Sequence, residues 1–265
     1  MNVNFLSGKL LSNFGDESLA EIIRIVEKKP IPFGTLMLNG LPDVGLVGLI
    51  AASHIISELD MDEVAYMDSD LLPPIVVLHD GLPHAPLRIF GNSQILATIS
   101  ETAIPANGIY AVIRHLVRWG GEKKVKLMVS IGGLPVPNRQ DIAEPKVYGV
   151  ATTSELINML KEKGIETIKE GFMVGPQALI LRYCMELGVP GIALLAQSFF
   201  NYPDPEAAAA VVKEISKIMG LQIDVSKLLQ KGEEIRLKAR DIMKRTQMEM
   251  AKMRKTQEYD LPFYA

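Results

Sequence analysis

The sequence predicts an α/β protein with a mainly parallel sheet flanked by helices, continued by a long C-terminal helix. Three observations predict it. From Gly34 to Gly220, short β-branched runs alternate with amphipathic segments, the pattern of strands joined by crossover helices. Several of these runs are apolar throughout, as strands covered on both faces are. After Leu221 strand-like runs cease and the composition turns to Lys, Arg, Glu and Met, residues that favour helix.

Taken in order, TLMLNG (35–40) is the first strand. The turn NGLPDVGLVG (39–48), with Gly40, Gly45 and Gly48, leads into the helix GLVGLIAASHIISEL (45–59). EVAYM (63–67), PPIVVL (73–78) and QILATIS (94–100) follow as strands. ANGIYAVIRHLVRWG (106–120) is a helix because Ile109, Val112, Ile113 and Leu116 recur at helical spacing, and Gly120 with Gly121 is expected to stop it. KVKLMVSIGG (124–133) is the next strand and closes on Gly132 and Gly133. SELINMLKEKG (154–164) and PQALILRYCMELG (176–188) are helices, the second entered through GFMVGPQAL with Gly171 and Gly175. GIALLAQS (191–198) is the last strand. DPEAAAAVVKEISKIMG (204–220) is a helix capped by Asp204, with Pro205 in the first turn, where a missing amide hydrogen costs nothing.

In the C-terminal stretch Leu228, Ile235, Ala239 and Ile242 lie on a four-three spacing, interrupted by Gly232, Thr246 and Glu249. One face can pack over the first half, and it offers a place for self-association. The expected organisation is an α/β body over 1–222, a long helix over 223–258 that leaves the body, and a tail over 259–265, YDLPFYA.

Composition excludes several classes of function. Hydrophobic residues make up 48% and charged residues 22% of the 265, values of a folded globular chain. A net charge of -3 gives no general attraction to nucleic acid or anionic membrane. No apolar stretch reaches the ~20 residues needed to span a bilayer, and no secretory leader pattern is present, so the cytoplasm is the expected address. Cys184 is the only cysteine, which excludes an internal disulfide and a cysteine-clustered zinc site. Its place on an apolar helix face fits a buried thiol rather than a nucleophile.

The search for chemistry returns little. The three glycine clusters match neither the dinucleotide fingerprint nor the phosphate-binding loop, so Gly40, Gly45, Gly48, Gly132, Gly133, Gly171 and Gly175 read as tight turns and close helix–strand contacts. His79, Asp80 and His84 in HDGLPH form a polar loop whose spacing is poor for a metal. His54 and His115 sit within amphipathic helices, Ser130 has no identifiable partner, and Asp68, Asp70 and Glu101 read as solvated loop carboxylates. No cofactor, metal or catalytic set is expected.

The segments NGLPDVGLVGLIAASHII, SIGGLPVP, GFMVGPQALIL, GVPGIALLAQS and YPDPEAAAAVV, in that order, resemble the PAC2 family of proteasome assembly chaperones in its archaeal branch. The resemblance covers roughly residues 20 to 222. It implies a non-enzymatic domain, distantly similar to nucleoside-phosphorylase folds, that self-associates and handles proteasome subunits. The terminal FYA is similar to the hydrophobic-tyrosine-any-residue ending that proteasome activators insert between neighbouring α-subunits of the core particle. On that resemblance Phe263 buries its ring, Tyr264 adds a phenol hydrogen bond, and the Ala265 carboxylate pairs with a pocket lysine, while Pro262 stiffens the segment and Leu261 adds contact area. Tail docking in an oligomer gains by avidity.

The sequence therefore predicts a proteasome assembly chaperone or ATP-independent activator whose partners are core-particle α-subunits and copies of itself. Three alternatives stay open: a nucleoside-phosphorylase-like or hydrolase enzyme using the glycine loops around a small anion, a scaffold whose terminal helix pairs with another chaperone, and a tail that folds back onto its own body.

Overall fold

The computed structural model describes residues 23–253. The eleven strands of this region are β1 (Ile23–Glu27), β2 (Leu36–Gly40), β3 (Asp62–Ser69), β4 (Val77–His79), β5 (Leu82–His84), β6 (Leu87–Gly91), β7 (Ile95–Ser100), β8 (Leu127–Pro135), β9 (Val147–Ala151), β10 (Glu166–Thr167) and β11 (Gly191–Ser198). The helices are α1 (Val47–Glu58), α2 (Ile109–Glu122), α3 (Ser154–Glu162), α4 (Pro176–Leu187), α5 (Pro205–Met219), α6 (Ser226–Gln230) and α7 (Gly232–Lys252). None of these helices is long and apolar enough to cross a membrane.

Nine strands form one sheet in the order β1-β3-β6-β7-β2-β8-β11-β9-β10. The centre, β7-β2-β8-β11, is parallel and is built from the apolar runs that the sequence marks as doubly covered strands. Alternate residues serve opposite faces. Leu38, Val129 and Leu194 pack under α1 and α5, while Met37, Leu96 and Met128 pack under α2 and α4. On the β7 side the strands β6, β3 and β1 are antiparallel, and β9 is antiparallel to β11. The expectation of a mainly parallel sheet is corrected to a mixed one. The cause is short strands with polar residues, IRIVE and LRIFG among them, which carry too weak an apolar pattern to be legible as strands.

Two other expectations change. PPIVVL does not join the main sheet; only its end enters the separate β4–β5 hairpin, where Leu78 is exposed, as is Val76 just before it. Two consecutive prolines, with no amide hydrogens to give, fit poorly in a central strand. Helix α2 is not stopped by Gly120 and Gly121 but runs through them to Glu122. A side chain at Gly120 would meet the Met128 methyl at 2.7 Å, so glycine there lets the helix lie close on the sheet.

The described part of the C-terminal stretch, which ends at Met253, is two helices, α6 and α7, and it does not leave the body. Leu228, Ala239, Met243, Thr246 and Met250 are buried, and Ile235 and Ile242 pack against the same core as α1 and α5. Arg236 donates to both carboxylate oxygens of Glu206 at 2.6 and 2.8 Å. Gln247 donates to the Asn201 carbonyl at 2.9 Å, and the Glu249 carboxylate accepts the Ala106 amide at 2.9 Å. Thr246, which breaks the apolar spacing, satisfies its hydroxyl on the Ile242 carbonyl and is buried in the seam. The face of Leu228, Ile235, Ala239 and Ile242, expected to serve self-association, is therefore used within the chain. The residues of the tail, Leu261 to Ala265, lie outside the described region.

Candidate functional site

The singled-out glycines lie towards the C-terminal edge of the parallel strands, where α/β proteins commonly place ligands, but not all are turns: Gly40 ends β2 and Gly45 precedes α1, whereas Gly48 is in α1 and Gly132 and Gly133 are paired within β8. Here protein atoms fill the room that the glycines leave. A side chain at Gly40 would collide with Ala52 and the Gly48 carbonyl, and one at Gly45 with the Ser198 hydroxyl. One at Gly48 would meet the Ile131 carbonyl at 2.5 Å, one at Gly133 the Val44 carbonyl at 2.5 Å, and one at Gly132 the Gln177 amide at 2.7 Å. These contacts bind β2, β8, β11 and the entry to α1 together at distances that a Cβ forbids. No anion cradle is formed by these five positions.

The remaining pair, Gly171 and Gly175, has backbone φ of 146° and 96°, in the region open to glycine. They shape the loop 168–175 that precedes α4 and that meets the end of β8 and residues of β9 and β11 around one pocket. Beneath this loop is a cavity of about 210 Å³. Its walls are mostly apolar, from Leu134, Pro135, Val150, Ile168, Phe172, Met173 and Leu195, and its polar members include Lys169, Glu170 and Gln177. Gln177 is only 2% exposed. Its Nε2 donates to the Ile131 carbonyl at 3.2 Å, and its Oε1 has no hydrogen-bond partner among the described residues.

The histidine loop has a different use from metal binding. His79 Nε2 lies 3.1 Å from Glu101 Oε2, and His84 Nδ1 lies 3.2 Å from Glu63 Oε2. Buried Arg88 reaches both carboxylates, and Lys28 pairs with Glu63. Burial raises the Glu63 pKa, but the hydrogen bond and charge of Lys28, aided by His84 and Arg88, more than offset this and hold it below the usual glutamate value. A guanidinium at the centre of the two carboxylates occupies the place a cation would take. Among the described residues no group of three or more His, Cys, Asp or Glu could hold a metal.

The other singled-out residues are dispersed. Asp68 pairs with Arg24 at 2.7 Å, far from the glycine turns in sequence. His54 Nε2 is 2.7 Å from the Asp224 carbonyl, and burial with Arg118 nearby lowers the His115 pKa. Ser130 is buried in β8 in register with Asn39 of β2, and among the described residues no base is hydrogen-bonded to its hydroxyl. Burial pushes the Cys184 thiol up to about 12, so it is not a nucleophile at neutral pH.

One feature escaped the sequence reading. Asp204 caps α5 through the Ala207 amide at 3.0 Å, as expected, but it is also held by Arg139, with Nε to Oδ2 at 2.7 Å and Nη2 to Oδ1 at 2.9 Å. The pair is buried, and the guanidinium stacks on Phe199 at 5.1 Å. It ties the loop after β8 to the start of α5 and so steadies the edge on which the cavity opens. Nothing local in a separation of 65 residues marks it.

A mixed sheet covered by helices, with closely packed glycines and dispersed polar groups, defines an α/β body whose polar residues serve its own architecture. The PAC2 family model matches residues 37–243, and the chain belongs to the PAC2 family. PbaA of Pyrococcus furiosus, an archaeal homolog of proteasome-assembly chaperone, is 28% identical, with 85% of this chain and 98% of that one covered at a TM-score of 0.80. PbaB of Pyrococcus furiosus, an archaeal proteasome activator, is 26% identical, covering 83% and 98% at a TM-score of 0.71. An uncharacterized protein of Methanocaldococcus jannaschii is 28% identical over 238 residues, 89% of this chain and 98% of that protein.

Proposed function

We propose that this chain is a proteasome assembly chaperone or ATP-independent proteasome activator that acts by docking, with no reaction of its own. The observation that carries this reading is likeness to both PbaA and PbaB across 98% of each, at 28% and 26% identity. The closely packed glycines and the arginine-centred histidine loop support a body given to architecture.

The docking element in this proposal is Leu261–Pro262–Phe263–Tyr264–Ala265, received between α-subunits of the core particle. Two aromatic rings give a large apolar contact at a low cost in conformational freedom, and Pro262 reduces that cost further. Self-association belongs to the proposal, since one short tail binds weakly and several linked ones bind by avidity. Because α7 uses its apolar seam within the chain, self-association would use other surfaces of the body.

The test compares binding to a cognate core particle, and peptide hydrolysis by it, for the intact chain, Tyr264→Ala, a chain lacking residues 263–265, and a chain with a tag after Ala265. The three altered forms are expected to lose binding and any stimulation together. Equal binding by all four would refute tail docking, and no binding by the intact chain would refute the proteasome reading itself.

A further inference from the structure

We propose that the outer face of helices α2 and α4 is a docking surface for an acidic segment of a partner protein, with Arg114 and Arg182 receiving its carboxylates. Tyr110, Arg114 and Arg118 recur every four residues and so form one stripe along α2, apart from the buried face of Ile109, Val112, Ile113 and Leu116. On α4, Arg182 and Met185 are exposed. One ring joins the two helices. Tyr183 is buried, and the Arg114 and Arg182 guanidinium groups lie 5.0 and 5.9 Å from its centre. Stacking on a fixed ring holds both arginines in place, so they have less freedom to lose when a carboxylate docks.

Neither arginine is spent within the chain. Arg114 stands 3.6 Å from Glu186, too far for a hydrogen bond. Among the described residues no carboxylate pairs with Arg182. Two neighbouring cations have a local explanation: Arg118 and Lys124 line a depression of about 380 Å³ at the C-terminal ends of α2 and α4, where positive charge offsets the helix dipoles. Arg114 and Arg182 lie inside their helices, before the last turn, and have no such role.

The face also carries exposed apolar side chains, Tyr110 at 56%, Met185 at 63% and Leu187 at 39%. Arg, Tyr and Met are the residues that protein interfaces favour over Lys and Glu. A bidentate guanidinium matches a carboxylate as well as a phosphate; the apolar residues decide between them. A nucleic acid backbone would leave Tyr110, Met185 and Leu187 without partners, would pass Glu122 and Glu186, and would approach a chain of net charge -3. A peptide segment that mixes carboxylates with apolar side chains fits both parts of the face. This inference goes beyond the proteasome reading and does not rest on it, since the face and the tail are separate contacts.

The probe is a fluorescein-labelled peptide of three Glu-Leu-Asp-Tyr repeats, followed by anisotropy with the full chain. It should bind saturably at low salt and lose most of its affinity as salt rises from about 0.01 to about 1 M, which shortens the Debye length from about 30 to about 3 Å. Arg114→Gln/Arg182→Gln should weaken binding about fivefold and Arg182→Gln alone about twofold, with circular dichroism checking the fold. Met185→Ser should weaken it about threefold. Lys244→Gln/Arg245→Gln, at exposed positions of α7, changes the net charge equally and should leave binding unchanged. No saturable binding, indifference to Arg114→Gln/Arg182→Gln, or equal weakening by the two double variants would overturn the proposal. Single-stranded DNA of the same charge that binds more tightly than the peptide would also overturn it, as a nucleic-acid site. So would a face that binds no peptide but whose double variant loses self-association in sedimentation, since its occupant would then be a second copy. A chain lacking residues 263–265 should bind the peptide as the intact chain does. Core particle that binds no form, with peptide binding as described, would refute the proteasome reading and leave this surface standing.

Discussion

Replacing Asp204 by Ala tests whether the buried pair with Arg139 holds the C-terminal edge of the sheet. Asp204 is inaccessible to solvent and Arg139 is 4% exposed. The carboxylate accepts both guanidinium hydrogen bonds, the Phe199 amide at 3.1 Å and the Ala207 amide at 3.0 Å. Truncation strands a buried cation, which costs about 3–5 kcal/mol, and removes a helix cap worth about 1 kcal/mol. The expected loss is about 4–6 kcal/mol, a large part of a total stability of about 5–15 kcal/mol. Urea unfolding followed by far-UV circular dichroism and Trp119 fluorescence reads it as a lowered midpoint. The double variant Arg139→Met/Asp204→Ala should recover at least half of the loss, because the unpaired charge is gone. A loss under about 2 kcal/mol in the single variant, or no recovery in the double, would refute the assignment of the pair as a structural clasp.

Two further outcomes check other parts of the fold. Met243→Ala should cost about 2–4 kcal/mol if α7 is packed on the body, with exposed Leu237→Ala as a near-neutral control; equal effects at both positions would mean that α7 stands free. Glu63 has its pKa lowered in the folded state mainly by Lys28 against the opposing effect of burial, so its contribution is present above the unfolded value of about 4.3 and is lost as pH falls through the folded one. Glu63→Gln should therefore flatten the dependence of stability on pH below about 4.5, measured by unfolding at a series of pH values, and an unchanged acid limb would exclude a role for this carboxylate in acid stability.

Sequence alone was sufficient for the parallel centre of the sheet and for the five helices α1 to α5 of the body. Their signals are local: continuous apolar runs for strands covered twice, and helical spacing in α2. The cap at Asp204 and the proline beside it are equally local. The glycine clusters were legible as close contacts because none carried the side chains that phosphate sites require; that Gly132 and Gly133 lie within β8, and Gly48 within α1, rather than in turns was not. Where the reading went astray, the deciding contacts are distant. Gly120 looked like a stop, yet it lies against Met128 of β8.

The C-terminal segment shows the division most clearly. Its composition determined that it is helical, because backbone propensity is summed along the chain. Whether that helix projects or packs depended on partners far away, Glu206, Asn201 and Ala106, which receive Arg236, Gln247 and Glu249. Thr246 and Glu249 read as breaks in an apolar seam, since a sequence window cannot see the carbonyl or amide that will satisfy them. The cavity likewise exists only in three dimensions, where the end of β8 and the loop 168–175, more than thirty residues apart, close over Gln177. Local periodicity determines which elements form; the pairing of polar groups across long stretches of chain decides where they lie and what space they enclose.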